Sequence, residues 1–227
     1  AQLHAPDLPS AYQLLYRFYQ LTYHPRGERV PLSKTKDLPN RDLSMSPYPQ
    51  RLGHGFSRLG ELFSSEHNRE RKRPFSVRPV MQALLDQDAP TLERWGGLEG
   101  GEMAVVWHGR LQGRAVTLIG IDNQALHRAT RSAEGPQSWS GGTLYPQASR
   151  KVARAINASR GACPVVILAN LSGFDGSPES LRGWQLEYGA EIARAVVAFD
   201  QPLYFVVLSR YHGGAYVVFS KALNPRL

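Results

Sequence analysis

The sequence has almost no cysteine and lacks long apolar runs. Cys163 is the single cysteine in 227 residues, which excludes an internal disulfide and any zinc or iron–sulfur site built from several cysteines. One free thiol is typical of a reducing compartment, so we expect a cytoplasmic location. No stretch approaches the roughly 18 consecutive apolar residues that a membrane-spanning helix needs. The sequence therefore predicts no membrane segment, and it shows no metal-ligand pattern.

The chain begins with neither Met nor a signal pattern, so we expect a piece of a longer protein. Its positive charge is unevenly distributed. The formal net charge is +8, but residues 1–80 carry 13 Lys and Arg against 7 Asp and Glu, while residues 161–227 carry 5 of each sign. A basic chain suggests nucleic acid, yet this charge lies in a proline-rich stretch without interleaved aromatic platforms. We therefore predict no nucleic-acid partner.

The first third of the chain predicts one helix and a long connector. Leu14, Phe18 and Leu21 recur at helical spacing within residues 10–23, which favours a helix there. Residues 24–74 contain six prolines and no regular period, which is typical of a segment that packs over a partner surface or stays mobile. We predict a basic N-terminal segment over residues 1–73 and a folded domain over residues 74–227.

The second part of the chain alternates between helix and strand patterns. Three helices are predicted, over residues 76–87, 146–158 and 178–199; five strands are predicted, over residues 103–107, 115–121, 164–169, 203–208 and 215–219. The first two strands form a hairpin through residues 108–113. Because a continuous apolar strand, a helix and a second apolar strand follow one another, we expect an α/β fold with a largely parallel sheet.

Two glycine-containing loops follow the buried strands, at residues 170–176 and 210–216. Ligands of parallel sheets gather outside the carboxyl ends of the strands, where bare backbone amides can donate to a developing oxyanion. The alternative is that these glycines only form tight turns, since short glycine motifs are weak evidence.

These residues also carry a resemblance to a known family. The runs PVVILANLSGFDGSPESLRGWQLEYGAEIARAVVAF and QPLYFVVLSRYHGGAYVVFSKALNP resemble the C-terminal half of the carboxyltransferase component of biotin-dependent acyl-CoA carboxylases. The resemblance covers residues 74–227 and is weak before them. It implies a crotonase-like ββα spiral, here incomplete, because such a half continues for about another hundred residues, the size of a small domain.

The resemblance implies transfer of CO2 from carboxybiotin to the α-carbon of acetyl-CoA or propionyl-CoA, as in fatty acid biosynthesis. Biotin is carried on a separate domain. The expected partners are therefore the biotin carboxyl carrier and biotin carboxylase domains and the N-terminal half of the carboxyltransferase from another subunit of a homo-oligomer. A non-catalytic acyl-CoA-binding, biotin-binding or assembly module is the alternative. A hydratase or isomerase is disfavoured because paired carboxylates are not evident.

The resemblance also implies roles for individual residues. Backbone amides of Gly214 and Ala215 would hold the ureido oxygen of biotin, and six residues would line the biotin or substrate pocket: Asn170, Gly173, Phe174, Gly213, Tyr216 and Arg210. Arg210 could instead form a structural ion pair. His212 could act as an acid or base, although amide-based stabilisation does not require it.

Overall fold

The computed structural model describes residues 2–28, 30–128 and 137–227. Its helices are α1 (Leu8–Thr22), α2 (Val77–Leu84), α3 (Pro146–Ser159), α4 (Pro178–Arg182), α5 (Gln185–Ala198) and α6 (Gly214–Val218), with short 3-10 helices at Leu43–Met45, Gln50–Leu52, Leu59–Leu62 and Arg69–Arg71. Its strands are β1 (Leu92–Glu93), β2 (Ala104–Leu111), β3 (Arg114–Ile121), β4 (Leu126–His127), β5 (Ser138–Trp139), β6 (Thr143–Leu144), β7 (Val165–Leu171), β8 (Gly173–Phe174) and β9 (Leu203–Tyr211).

A five-stranded sheet in the order β1-β2-β3-β7-β9 forms the centre of the fold. The pairs β3–β7 and β7–β9 are parallel, while β1–β2 and β2–β3 are antiparallel. The predicted parallel core is therefore confirmed. The predicted hairpin is confirmed, but its loop is shorter than residues 108–113, since β2 continues through Leu111 and only Gln112 and Gly113 turn. Both have a positive φ, 51° and 77°, as in the tight turns that suit twisted strands.

Both faces of strand β7 are covered, whereas β9 at the edge of the sheet is not the buried strand that the sequence predicts, since its Tyr204, Val206 and Val207 are exposed. Val165, Ile167 and Ala169 of β7 are buried in the cluster that includes α3 and α5. The opposite face, with Val166 and Leu168, is buried in the cluster that includes α2. This alternation explains why the run PVVILA is apolar at every position, since a strand covered on both faces has no side that faces water.

Residues 24–74 do not form a mere connector. Tyr48, Phe56, Leu62 and Phe75 are buried in the same cluster as α2, so much of this segment packs on the chain's own sheet rather than on a partner or in solvent. The interpretation failed because 3-10 turns and prolines give no helix or strand period, although scattered apolar side chains still bury their area. The predicted domain boundary after residue 73 stays a prediction.

The predicted helix over residues 178–199 is two helices, α4 and α5. Gly183 N–H donates to Glu179 O at 2.9 Å, and Trp184 then adopts a left-handed conformation with φ 69°. The single apolar face that one continuous helix would present is therefore divided. Ile192 and Val196 of α5 are buried, whereas the Trp184 side chain is 67% exposed.

The predicted strand over residues 215–219 is wrong, because α6 occupies this segment. Tyr216 N–H donates to Gly213 O at 3.0 Å and Phe219 N–H to Ala215 O at 3.2 Å. The β-branched and aromatic residues favour a strand only as surfaces that fit a sheet. Here Val218 and Phe219 are buried against the core as parts of a helical turn.

Candidate functional site

Two glycine turns meet at the carboxyl ends of β7 and β9. His212 N–H donates to Leu171 O at 3.1 Å, which joins the two strand ends. A Cβ atom built on Gly213 would lie 3.8 Å from Gly173 Cα, so the bare backbones of the two turns lie next to each other. The two loops that the sequence singled out are thus brought together, because carboxyl ends of parallel strands share one edge of the sheet.

The first turn is held by the loop that precedes α3. Ser172 N–H donates to Gly142 O at 2.7 Å, and Asp175 N–H donates to Leu144 O at 3.0 Å. Between these bonds β8 pairs in parallel with β6. Gly173 has φ 129°, a conformation that side chains rarely adopt. The turn therefore presents backbone rather than side chain at this position.

The second turn leads directly into α6. Gly213 has φ 61° and ψ −144°, which is a glycine conformation. Gly214 and Ala215 come next, in the first helical turn, where N–H groups have no acceptor within the helix. Neither N–H donates a hydrogen bond to any of the residues that the structure describes. Gly214 is exposed, whereas Ala215 is 0% exposed, so a ligand at this surface reaches Gly214 directly and Ala215 only if the surface opens.

Aromatic rings surround the second turn. The Phe174 ring lies against Gly214, where an added Cβ would come within 2.7 Å of Phe174 Cδ2, and against Gly189 of α5. Tyr211 Oη donates to Phe219 O at 2.7 Å, and its ring lies 5.2 Å from that of Tyr216. The Tyr216 ring is exposed. An apolar wall therefore borders the Gly214 amide.

A polar network lies behind the two turns. Asn170 is fully buried, and its Oδ1 accepts from Arg210 N–H at 3.3 Å and from Arg210 Nε at 3.2 Å. Arg210 Nη2 also donates to Asn123 Oδ1 and, at 3.4 Å, to Gly141 O. Among the described residues no carboxylate pairs with Arg210. The structural ion pair considered for Arg210 is therefore absent from this part of the chain.

Asn123 and the Gly141–Gly142 pair were not predicted as parts of the site. The available signal for Asn123 was its position two residues after β3, which ends at the same edge of the sheet as β7. Gly142 has φ 75° and its missing side chain matters, because a Cβ would lie 2.6 Å from Asn170 O and 3.3 Å from Arg210 Nη2. These residues enter the site only through the folded arrangement of distant loops.

The remaining polar side chains nearby have structural contacts or face solvent. Asp175 Oδ2 accepts from Ser177 N–H at 3.3 Å and from Ser177 Oγ, and Ser177 Oγ accepts from Ser180 N–H as the cap of α4. His212 is exposed.

Among the described residues, no helix combines the length and apolarity that crossing a membrane requires. The same residues contain no cluster of three or more His, Cys, Asp or Glu fit to bind a metal ion.

Comparison with known proteins agrees with this geometry. The chain is 26% identical over 220 residues to the mitochondrial acetyl-CoA carboxylase of Saccharomyces cerevisiae strain S288c, an alignment that covers 90% of this chain and 9% of the yeast protein. It is 26% identical over 212 residues to acetyl-CoA carboxylase of Schizosaccharomyces pombe, with 88% and 8% covered. Rice acetyl-CoA carboxylase 1 is 27% identical over 157 residues, with 64% and 7% covered. The chain thus spans less than a tenth of these relatives.

The fold is shared with a solved structure of transcarboxylase 12S, described as a hexamer with hydrolysed methylmalonyl-coenzyme A bound. The TM-score is 0.68 at 20% identity, and the match covers 98% of this chain and 38% of that one. The predicted α/β, crotonase-like carboxyltransferase fold is thereby confirmed. The family model described as the carboxyl transferase domain matches residues 26–226. A match over that much of the sequence shows that the chain belongs to the carboxyl transferase domain family.

Proposed function

We propose that this chain is part of a carboxyltransferase that moves a carboxyl group from carboxybiotin to the α-carbon of acetyl-CoA or propionyl-CoA. The observation that carries the proposal is that the Gly173 and Gly213 turns lie next to each other, joined by the bond from His212 N–H to Leu171 O, with the exposed Gly214 following at the start of α6. Family membership supports the reaction class. The curated relatives are named acetyl-CoA carboxylases, which supports acetyl-CoA as one candidate substrate.

The residues present fit the ureido group of biotin. Bare backbone at Gly173 and Gly213 allows close approach, and the exposed Gly214 lies next to the Phe174 ring. The Gly214 N–H is the kind of donor that stabilises negative charge developing on a carbonyl oxygen. Carboxybiotin, when bound, would supply the carboxyl group that is transferred.

The chain's own residues would bind and orient rather than exchange protons. Phe174 and Tyr216 would shield the turn from water, and the Gly214 amide would donate to the oxygen that gains charge. Arg210 would hold the two strand ends in place through Asn170. His212 is not needed for these steps, so its exposed imidazole is assigned no role.

We also propose that this chain acts together with other domains and subunits. We expect a biotin carboxyl carrier domain, a biotin carboxylase domain and the N-terminal half of the carboxyltransferase from another subunit of a homo-oligomer in the cytoplasm. Transcarboxylase 12S is described as a hexamer, and this chain spans 38% of that protein. We therefore expect the isolated chain to have little or no activity, and the reaction should be assayed in the full parent protein.

The test uses the parent protein with malonyl-CoA and biocytin, and it measures malonyl-CoA decarboxylation and carboxybiocytin formation. Gly214→Val keeps the backbone N–H, but its Cβ would lie 2.7 Å from Phe174 Cδ2, so the turn must shift. Displacement of this donor should lower the rate about 100-fold or more, as the loss of an oxyanion donor does. Gly176→Ala is the matched control, since an added Cβ there meets nothing within 4 Å, and its rate should stay near wild type.

The outcome that contradicts carboxyl transfer is a folded parent that binds malonyl-CoA but converts none of it. That result would favour the non-catalytic binding or assembly module. A parent that is active but equally impaired by Gly176→Ala and Gly214→Val would show that the Gly214 amide has no special role.

A further inference from the structure

The network behind the glycine turns starts from an irregularity in the sheet. Ala169 of β7 pairs with Val207 of β9, but the next pair is Leu171 with Tyr211. Strand β9 therefore takes four residues to cover the span of two residues in β7. Such irregularities redirect side chains and occur often beside functional sites. Here the extra length places Arg210 opposite Asn170.

The Asn170 side chain forms hydrogen bonds across this irregularity. It lies opposite the extra residues, and its Oδ1 accepts from both the backbone N–H and Nε of Arg210, at 3.3 and 3.2 Å. These bonds replace the strand ladder where it is interrupted. They orient the Arg210 side chain toward the end of β3, so its guanidinium bridges the carboxyl ends of three neighbouring strands.

Asn123 receives the far end of that guanidinium. Its side chain is 3% exposed; Oδ1 accepts from Arg210 Nη2, and Nδ2 donates to Arg73 O at 3.3 Å. The amide is thus held from both ends, which fixes the direction of its oxygen. Gly142 lies alongside, 3.3 Å from Nη2 at its Cβ position, and its lack of a side chain leaves the contact open.

The acceptors of Arg210 are neutral. They are two amide oxygens and the Gly141 carbonyl. The nearby Asp122 carboxyl is directed elsewhere, since its oxygens accept from Val77 N–H and Ser76 Oγ at the start of α2. Among the residues that the structure describes, no carboxylate therefore pairs with this guanidinium. It lies at the base of the two turns in a half-buried position, where a charge acts more strongly than in water.

We propose that Asn123 is a positioning residue for carboxyl transfer, because it holds the Arg210 guanidinium, which pairs with no carboxylate in the described part of the chain, at the base of the two glycine turns. This inference rests on the proposed function. Within the described part of the chain, Asn123 forms no hydrogen bond with the backbone of either turn, and it acts through Arg210. The guanidinium would stabilise an anionic oxygen bound at the turns only while Asn123 keeps the Arg210 side chain in place.

The experiment combines a spectroscopic signature with kinetics. In the wild-type chain, the Arg210 Nη2–H that donates to Asn123 should give a resolved, slowly exchanging signal in a low-temperature ¹H–¹⁵N spectrum, assigned by its loss in Arg210→Lys. Asn123→Ala should abolish the slow exchange. Asn123→Asp, which keeps an acceptor oxygen, should restore it. Asn224→Ala is the matched control, because Asn224 is an equally buried amide that donates to Val196 O and Phe199 O instead.

In the parent protein, Asn123→Ala should lower kcat by about 10- to 100-fold, the cost of a small misplacement near a reacting group, with KM for acyl-CoA nearly unchanged. Asn123→Asp should keep Arg210 in place but neutralise its charge, so kcat should stay low. Retention of the protected signal in Asn123→Ala overturns the positioning role, and a wild-type kcat in Asn123→Asp overturns the role of the charge. An inactive wild-type parent defeats the proposed function alone, since the spectra still test the positioning.

Discussion

Gly214 and Phe174 interlock the two turns of the site. The Phe174 ring, which comes from the loop after β7, packs so closely on Gly214 that a Cβ there would lie 2.7 Å from Cδ2. On its other side the ring contacts Gly189 of α5, where a Cβ would lie at 3.6 Å. The position of the Gly214 amide is therefore set by an aromatic ring from another segment of the chain.

Gly213→Ala should destabilise the fold through the backbone alone. The combination of φ 61° and ψ −144° costs a residue with a Cβ about 1–3 kcal/mol, while the nearest atom to an added Cβ is 3.8 Å away. Urea unfolding followed by circular dichroism measures the loss. The control is Gly97→Ala, where the space is open, and equal losses in the two variants would contradict the argument.

The free energy of unfolding should fall as the pH decreases from about 6.5 to about 4. Burial, assisted by the charge of Arg94, lowers the pKa of His108 from 6.5 to about 4. Between pH 6.5 and about 4, the His108 imidazole is protonated in the unfolded chain but neutral in the folded chain. Each unit of pH decrease therefore lowers the free energy of unfolding by about 1.4 kcal/mol. The loss is complete once the pH is below the folded pKa.

His108→Gln should flatten this pH dependence, because its side chain does not titrate. Urea unfolding at several pH values between 4.5 and 7 measures the slope. Gln82→Ala is the control, since Gln82 is exposed and has no titratable side chain, and this replacement should leave the slope as in wild type. If His108→Gln has the wild-type slope, another buried group is responsible.

Cys163 should be unreactive in the folded chain. It is 2% exposed, and burial raises its pKa, so the reactive thiolate is both scarce and shielded. We expect an Ellman's reagent assay at pH 8 to label the native chain about 100-fold more slowly than the denatured chain. The denatured chain should react with one equivalent of the reagent, because it has a single cysteine. Rapid labelling of the native chain would show that this thiol is accessible.

Trp184→Gly should be more stable than Trp184→Ala. Trp184 has φ 69° and ψ 32°, a left-handed conformation that costs residues with a Cβ about 1–2 kcal/mol. Both variants lose the same ring, which is 67% exposed, so their difference isolates the backbone. Thermal unfolding should give the Gly variant the higher Tm by about 2–4 °C, and a Tm equal to or below that of the Ala variant would contradict this explanation.

The elements that could be predicted were those with continuous local patterns. The apolar runs of β7 and β9 and the periodic apolar face of α3 indicated a parallel core, and the structure confirms it. The structure contradicts the prediction where local patterns were weak. Val217 and Val218 favoured a strand but lie in α6. Trp184 falls within the single helix predicted over residues 178–199, but it lies between α4 and α5.

The sequence predicted which kind of chemical group the candidate site offers, but not all the residues that come together there. Glycines after two apolar strands indicated amide donors at one edge of the sheet, and the Gly173 and Gly213 turns do lie next to each other there. Asn123 was not predictable, because its part in the network depends on Arg210, which lies 87 residues later in the chain. No local period encodes a contact of that kind.

The sequence by itself determined the parallel core and the two glycine turns at its edge, since apolar strands and glycines act through local conformation and burial. The tertiary structure alone decided that Gly214 is exposed while Ala215 is buried. It also decided that the Arg210 guanidinium is held between Asn170 and Asn123. The physical reason is that exposure and strand register depend on packing between distant segments, which the order of neighbouring residues does not specify.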